Sequence, residues 1–182
     1  MLKEILYNPL VGNTVKFLST AERSGGTRTE IEIELAAGGG IPMHYHNNFS
    51  ETFTICEGTL GLELSGGRKL YLKSGELITI PRRTPHRFFN DSSSPVTFRE
   101  RISPADSGFE HSLRIAYGLV NDGLTNKSSI PRSLYHLAIL LKMGDSNLPG
   151  ILSLIKPLIT ILYRQAKRKQ IDKKLLLKYC ER

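Results

Sequence analysis

The sequence predicts a mainly β protein, a small barrel or sandwich, followed by a C-terminal α-helical extension. Two observations carry this prediction. From Val15 to about Ile102 the chain is a series of short β runs broken by turn signals, a pattern typical of β-sandwiches and barrels. After Pro104 the spacing of apolar residues changes to the three-to-four period of helices. At 182 residues, 40% of them hydrophobic, the chain is long enough for one domain with an appendage.

Four segments in the first part have the apolar spacing and turn-flanked length of strands, and these are residues 29–35, 60–72, 76–81 and 96–102. In the first segment strict alternation places Ile31, Ile33 and Leu35 on one face. The second segment contains Ser65-Gly66-Gly67 at its centre, which predicts two strands joined by a hairpin turn.

The second part of the chain predicts helices. Ser107 and Glu110 have the spacing of a capping box, and Phe109, Leu113 and Tyr117 follow at helical intervals. After a loop over 121–126, helical patterns resume in three further segments, 133–143, 149–169 and 172–181. We therefore predict a barrel domain over residues 1–105 and a helical extension over residues 106–182.

Charge also divides the chain, within the extension. The net charge is +8, yet residues 1–131 hold 14 Lys/Arg and 14 Asp/Glu and are neutral. Residues 132–182 hold the other 11 basic residues against 3 acidic ones, so the excess of 11 − 3 = 8 lies in this later part of the extension.

Residues 148–163 of this extension are apolar nearly all round and are followed at once by a basic run. The segment is shorter and more broken than the ~20 apolar residues that span a bilayer. We favour its burial against the barrel or in a homodimer, because helices that are apolar all round are buried in protein. Docking on an anionic membrane surface is the alternative, and nucleic acid is ranked last because no recognition motif accompanies the charge.

The N-terminus and the two cysteines predict a cytoplasmic location. Glu4 and Pro9 stand where a signal peptide would need an apolar run. Cys56 and Cys180 lie far apart and lack a CxxC spacing, so they predict neither a disulfide framework nor a thiolate zinc site. The simplest expectation for Cys56 is a buried apolar position.

Three histidines in or beside predicted strands are candidates for metal binding. His44 and His46 are two residues apart, so on an extended strand they project to the same face roughly 6–7 Å apart. The residues 47–50 between His46 and Glu51 predict a turn, which lets Glu51 point inward from the next strand. His86 comes from a third segment after a proline-containing turn. Imidazoles with one carboxylate favour a first-row transition metal over calcium or magnesium.

Alone, a His-x-His pair also occurs on exposed strands, where both rings are simply solvated. The surrounding spacing narrows the choice. Five residues separate Gly38 from His44, four separate His46 from Glu51, and six separate Glu51 from Gly58. In a second run five residues separate Gly75 from Pro81, and three residues separate the following His86 from Asn90. The two runs are 16 residues apart.

These two runs resemble the paired motifs of the cupin family, over about residues 27–102. One position departs from the pattern, because Arg83 stands where the family usually has glycine. The resemblance implies a double-stranded β-helix, a small antiparallel barrel with an open end. It also implies that His44, His46, Glu51 and His86 bind one divalent ion of manganese, iron, nickel, copper or zinc. The resemblance further implies that the Asn90 side chain holds its own loop in place.

The family does not determine a reaction, because cupins include dioxygenases, decarboxylases, isomerases and non-catalytic binding proteins. Four protein ligands on an octahedral ion leave two positions for a small oxygenated or carboxylated molecule. The first hypothesis is therefore a metal-dependent enzyme, dioxygenase-, decarboxylase- or isomerase-like, with a dioxygenase-like oxidoreductase as its most specific form. The alternative is a non-catalytic cupin that senses a small ligand and uses its helical tail for a partner.

No catalytic residue beyond the metal ligands is assigned from the sequence, and no organic cofactor is expected. Glu100 and Arg101 lie on a strand that reaches the barrel wall, with the phase of that strand left open. Four apolar residues line the pocket or form ordinary barrel core, and these are Phe53, Ile55, Phe88 and Phe89.

Overall fold

A computed structural model describes residues 4–181. Its strands are β1 (Ile5–Asn8), β2 (Asn13–Ser19), β3 (Thr29–Leu35), β4 (Ser50–Glu57), β5 (Thr59–Leu64), β6 (Lys69–Lys73), β7 (Leu77–Ile80), β8 (His86–Phe89) and β9 (Val96–Ser103). The helices follow as α1 (Ser107–Asn121), α2 (Leu134–Met143), α3 (Lys156–Arg168) and α4 (Ile171–Tyr179). The mainly β fold with a C-terminal helical extension is confirmed.

The strands form two antiparallel sheets. A six-stranded sheet has the order β1-β2-β3-β9-β4-β7, and a three-stranded sheet has the order β6-β5-β8. Aromatic side chains join the two layers, since the Phe88 ring of the small sheet lies 5.2 Å from Phe98 and 6.0 Å from Phe53 of the large one, between centroids. The barrel core therefore lies between the sheets, because the apolar residues that alternate along each strand point inward.

Most strand predictions are confirmed, and two details are corrected. Strand β3 has the predicted bounds, and β5 and β6 flank a turn at Ser65–Gly67. Strand β1 was not predicted, because four residues that end just before Pro9 are too short for a visible period. Cys56 is exposed and not buried. It lies between Ile55, which faces the core, and Glu57, where the register with β9 shifts.

Two helix boundaries also differ from the sequence expectation. The N-cap of α1 is Asp106, whose side chain accepts from the Phe109 N–H, so Ser107 is the first helical residue and not the cap. The predicted helix over 149–169 is a 3₁₀ segment, Gly150–Ile155, followed by α3. Pro157 explains the break, since proline lacks an N–H and fits only the first turn of an α-helix.

Helix α1 contributes to two separate cores. Phe109 belongs to the barrel core, and the Glu110 carboxylate accepts from the Thr29 hydroxyl (2.5 Å) and the Ala21 N–H (2.6 Å). The opposite part of α1 buries Ile115 and Leu119 in a cluster with the three later helices. The extension is thus packed on the barrel through α1. Among residues 4–181 no helix has both the length and the apolarity needed to cross a bilayer.

Candidate metal centre

The structure brings together the four side chains that the motif spacing singles out. One ligand atom from each of His44, His46, Glu51 and His86 lies within 4.8 Å of the other three. His46, Glu51 and His86 are 3%, 3% and 1% exposed, and His44 is half-buried at the edge of the group. Within residues 4–181 this is the one His/Cys/Asp/Glu cluster with such convergence.

Backbone pairing places these side chains. His44 and His86 form an isolated antiparallel bridge, in which each backbone N–H donates to the other residue's carbonyl at 3.0 and 2.8 Å. Glu51 is the second residue of β4 and pairs with Ile80 and Ile102 on the flanking strands, which fixes its side chain toward the core. The turn after His46 resets the phase, as the spacing predicted.

Each of the three imidazoles uses its Nδ1 atom in a hydrogen bond to a backbone carbonyl. His44 contacts Pro42 at 2.9 Å, His86 contacts Thr84 at 2.9 Å, and His46 contacts Asp145 at 3.1 Å. Because a carbonyl oxygen can only accept, Nδ1 carries the proton in these bonds. The tautomer that results leaves the Nε2 lone pair for another partner, which is the arrangement of metal-ligating histidines.

The Nε2 atoms of His46 and His86 are buried without a hydrogen-bond partner. They lie 3.2 and 2.7 Å from the two Glu51 carboxylate oxygens, close enough for ion pairing but not aligned as hydrogen bonds. Buried polar atoms are almost always satisfied, so two unsatisfied nitrogens facing one carboxylate are unusual. A cation between these groups would satisfy all of them.

Electrostatics at the cluster agree with that arrangement. Burial, helped by the neighbouring His46 ring, lowers the pKa of His44 from 6.5 to about 4, so this imidazole is neutral near pH 7. Burial would raise the pKa of Glu51, but its contacts with His46 and His86 outweigh burial and hold the pKa well below the usual value. Burial lowers and the Glu51 contact raises the pKa of His86, with a net rise. A bound cation would replace the proton that His86 and Glu51 compete for.

Three members of the cluster, His44, His46 and Glu51, line a cavity of about 320 Å³. Its lining is predominantly apolar and comes from the barrel interior, for example Ile31, Ile33 and Phe88. Helix α1 and residues 141–148 of the extension cover the remaining side. Of the four apolar residues expected to line a pocket or fill the core, only Phe88 borders the cavity. Phe53 and Ile55 belong to the barrel core, while Phe89 is outside that core and packs against Tyr71.

Glu100 is a functional candidate whose orientation the sequence reasoning left open. It is 4% exposed and borders the cavity, and burial together with the neighbouring Glu51 charge raises its pKa well above the usual value. On β9 it shares a face with Phe98 and Ile102, both fully buried. A glutamate in phase with core residues was therefore the available signal. Arg101 points outward.

Tyr117 of α1 also borders this cavity, and burial raises the pKa of its hydroxyl well above 10.0. Together with Ser112 and Ser146 it brings hydroxyl groups into a mostly apolar space. None of these three was identified from the sequence, because their position depends on how the extension packs over the barrel.

Asn90 and Arg83 occupy two motif positions that lie in loops beside the strands. The Asn90 side-chain amide donates to the carbonyls of Leu35, Ala36 and Ser94, so it braces its loop, as the resemblance implied. Arg83, in place of the usual glycine, has φ 63° and donates its backbone N–H to the His46 carbonyl at 2.6 Å. The departure from the motif therefore affects a strained turn beside the cluster.

A comparison with protein families agrees with the barrel fold. Residues 31–100 match the family model described as a cupin domain, so the barrel is a cupin domain. Over 97 residues the chain is 34% identical to "Probable oxidoreductase patJ" of Aspergillus clavatus and 31% identical to that of Penicillium expansum, in each case covering 50% of this chain. It spans less than a third of the length of these curated relatives, 30% and 29%.

Among solved structures, an RmlC-like cupin from Shewanella frigidimarina superposes with a TM-score of 0.48 and 17% identity, covering 57% of this chain and 86% of that one. The cyclase RemF from Streptomyces resistomycificus, described as a polyketide cyclase, superposes with a TM-score of 0.46 and 27% identity, covering 50% and 64%.

Proposed function

We propose that this cupin-domain protein binds one divalent transition-metal ion on His44, His46, Glu51 and His86, and acts on a small oxygenated or carboxylated molecule held in the adjoining cavity. The observation that carries the proposal is the convergence of four ligand atoms within 4.8 Å, with the Nδ1 atom of each of the three cluster histidines already hydrogen-bonded. Three imidazoles and one carboxylate suit iron, manganese, nickel, copper or zinc.

When bound, the ion would supply Lewis-acid or redox chemistry to a substrate oxygen. The chain's own residues bind and orient that substrate. Apolar residues such as Ile31 and Phe88 exclude water from its carbon skeleton, and the Glu100 carboxyl and Tyr117 hydroxyl offer hydrogen bonds to its oxygen atoms. With few polar groups in the lining, the cavity favours a molecule that is largely apolar apart from its metal-binding oxygens.

We favour an enzyme of the oxidoreductase class, dioxygenase-like, over a non-catalytic cupin. The relatives named as probable oxidoreductases support this choice for the matched half of the chain. The intact ligand set supports it as well. The alternative, a sensing cupin, would use the same cavity for ligand binding and the helical extension to transmit the signal to a partner.

Metal analysis of the purified full-length protein tests the site. We expect about one equivalent of a transition metal per chain, and less than about a tenth of it in the His44→Ala/His46→Ala double variant, because half of the ligand set is removed. His111→Ala, a histidine on α1 outside the cluster, serves as the control and should keep full occupancy. Full metal content in the double variant would show that the ion binds elsewhere.

A second assay separates the enzyme from the sensor. The metal-loaded protein is mixed with small carboxylated and enolic compounds, and both oxygen consumption and binding heat are measured. Substrate-dependent oxygen uptake that disappears in the double variant supports the oxidoreductase. Saturable binding with no turnover of any kind supports the sensor.

The extension supplies the proposed partner surface. Residues 151–161 expose six large apolar side chains, and these are Ile151, Leu152, Leu154, Ile155, Leu158 and Ile161, which we call the apolar strip. The segment 151–161 contains one charged residue, Lys156, so the strips of two chains can face each other with little repulsion. We propose that it joins two chains as a homodimer, with docking on an anionic membrane as the alternative outcome of the test below.

A further inference from the structure

Asp145 links the helical extension to the loop that carries a proposed metal ligand. It lies just after α2, and its backbone carbonyl accepts the hydrogen bond from His46 Nδ1 at 3.1 Å. Its carboxylate accepts from the backbone N–H groups of Asn47 (2.5 Å) and Asn48 (2.8 Å) and from the Asn47 side chain (3.2 Å). One residue of the extension thus contacts three consecutive residues of the loop.

A short β-bridge adds to this connection. Tyr45 and Asn147 exchange backbone hydrogen bonds, both 2.9 Å long, so residues 45–48 are paired with residues 145–147. The Asn147 side chain also donates to the Asp145 carboxylate at 3.0 Å. The carboxylate therefore accepts hydrogen bonds from both sides of the junction, and bonds to an ionised acceptor are stronger than neutral ones.

The backbone of Asp145 is in an uncommon conformation. Its φ is 48°, in the left-handed region where, apart from glycine, asparagine and aspartate are among the more frequent residues. In this conformation the carbonyl and the carboxylate of one residue both contact the same loop. Aromatic contacts hold the His46 ring on its other sides, with Phe49 stacked at 4.4 Å and Phe109 of α1 edge-on at 6.5 Å between centroids.

We propose that Asp145 is a positioning residue for His46, so that the helical extension completes the metal centre of the barrel. The inference rests on the proposed function, because it assigns His46 as a ligand. The Asp145 carbonyl selects the tautomer that directs Nε2 toward Glu51 and His86, and the carboxylate holds the backbone of the loop in place. Partners of this kind typically contribute 10–100-fold to metal affinity, roughly, when removed one at a time.

Two substitutions separate the carboxylate from the turn. Asp145→Gly removes the carboxylate and tolerates the left-handed φ, so it causes no new backbone strain. Asp145→Asn keeps an acceptor oxygen and also tolerates that φ, and is expected to restore much of the effect. The matched control is Asp122→Ala, an aspartate of the extension whose carboxylate accepts from the Tyr179 hydroxyl (2.6 Å) and contacts Lys178 (2.5 Å), away from the metal loop.

The first readout is Co²⁺ binding by the metal-free, full-length protein, followed through the visible absorption spectrum of the bound ion. We expect Asp145→Gly to raise the Kd for Co²⁺ by about 10–100-fold and to alter the absorption bands, since the His46 ring is no longer fixed. Asp145→Asn is expected to lie between that variant and the wild type. Asp122→Ala is expected to keep the Kd within about threefold and to leave the bands unchanged.

The second readout needs no metal. Backbone amide hydrogen exchange over residues 44–48 should be at least about tenfold faster in Asp145→Gly than in the wild type, and unchanged in Asp122→Ala. Wild-type Kd and spectrum in Asp145→Gly would overturn the positioning role. If the wild type itself binds no Co²⁺, the proposed function fails, and the exchange data still decide whether Asp145 holds the loop.

Discussion

The barrel and the helical extension differ in how completely they bury their large apolar side chains. In the barrel the large apolar residues on the inner faces of both sheets are nearly all buried, and the buried polar cluster faces a cavity. The extension has a small core, yet it leaves Ile151 80% and Leu154 75% exposed. The apolar residues of the barrel are thus buried by the chain itself, while the extension exposes an apolar surface of the kind found at interfaces.

The largest expected effect tests the barrel. Glu51→Gln keeps the size of the side chain but removes the negative charge that faces two imidazoles. We expect metal affinity to fall by about 100-fold or more and any turnover to disappear. This loss is larger than the one expected for Asp145, which contacts a proposed ligand and not the ion. Calorimetric titration with Co²⁺ measures the first effect. Unchanged affinity, with the fold retained by circular dichroism, would exclude Glu51 from the ligand set.

The next prediction asks whether the two regions unfold together. Leu119 is fully buried in the helical core, so Leu119→Ala should lower the free energy of unfolding by about 2–5 kcal/mol. Leu177→Ala, at a 63% exposed position of α4, is the control and should change it by less than about 0.5 kcal/mol. Because α1 belongs to both cores, a single denaturation transition is expected. Two transitions, with only one shifted, would show independent units.

The apolar strip gives a third prediction. Ile151→Asp/Leu154→Asp places charges at two exposed positions, so the stability of the single chain should change by less than about 0.5 kcal/mol. If the strip joins two chains, sedimentation velocity should show a dimer whose Kd rises at least about 30-fold in the variant, as expected when an interface centre is disrupted.

The same variant distinguishes the membrane alternative. There the wild type is monomeric, sediments with anionic vesicles and is released by salt, while the variant stays in solution. Leu177→Asp is the control outside the strip. A wild type that neither dimerises nor binds vesicles would contradict both interpretations.

The smallest expected effect concerns alkaline pH in the extension. Burial, only partly opposed by Arg114, raises the pKa of the Cys180 thiol from 9.0 to about 11. The folded state therefore favours the neutral thiol, and its contribution is fully present below pH 9. It is lost as pH rises from 9 toward 11, because the unfolded chain releases the proton first. Cys180→Ala should flatten this part of the stability curve, and an unchanged slope in urea melts at pH 8 and 10.5 would contradict the assignment.

The sequence predicted the barrel better than the extension for a physical reason. Strand alternation is a local property, so β3 was predicted with its observed bounds, and the four proposed ligands follow from spacing along the chain. The orientation of Glu100 is also a local property, because it alternates in phase with Val96, Phe98 and Ile102 on β9.

What could not be predicted depends on packing between distant segments. The contact between Asp145 and residues 46–48 joins positions about 98 residues apart, and no local period marks it. The exposure of the apolar strip is similar, since an apolar helix looks the same in sequence whether its partner is the barrel or another molecule. Sequence periodicity identifies an apolar face and does not identify its partner.

Helix α1 has a consequence for how such a chain can be recombined. One part of it packs in the barrel core and another part packs in the helical core. A cut at residue 105 therefore removes Phe109 from the barrel core, and a cut at residue 131 removes the later helices that cover Leu119. A barrel of this kind cannot exchange its extension for an unrelated segment as if the two were separate modules. Any graft has to bring a first helix with two apolar faces, one for the barrel core and one for the helical core.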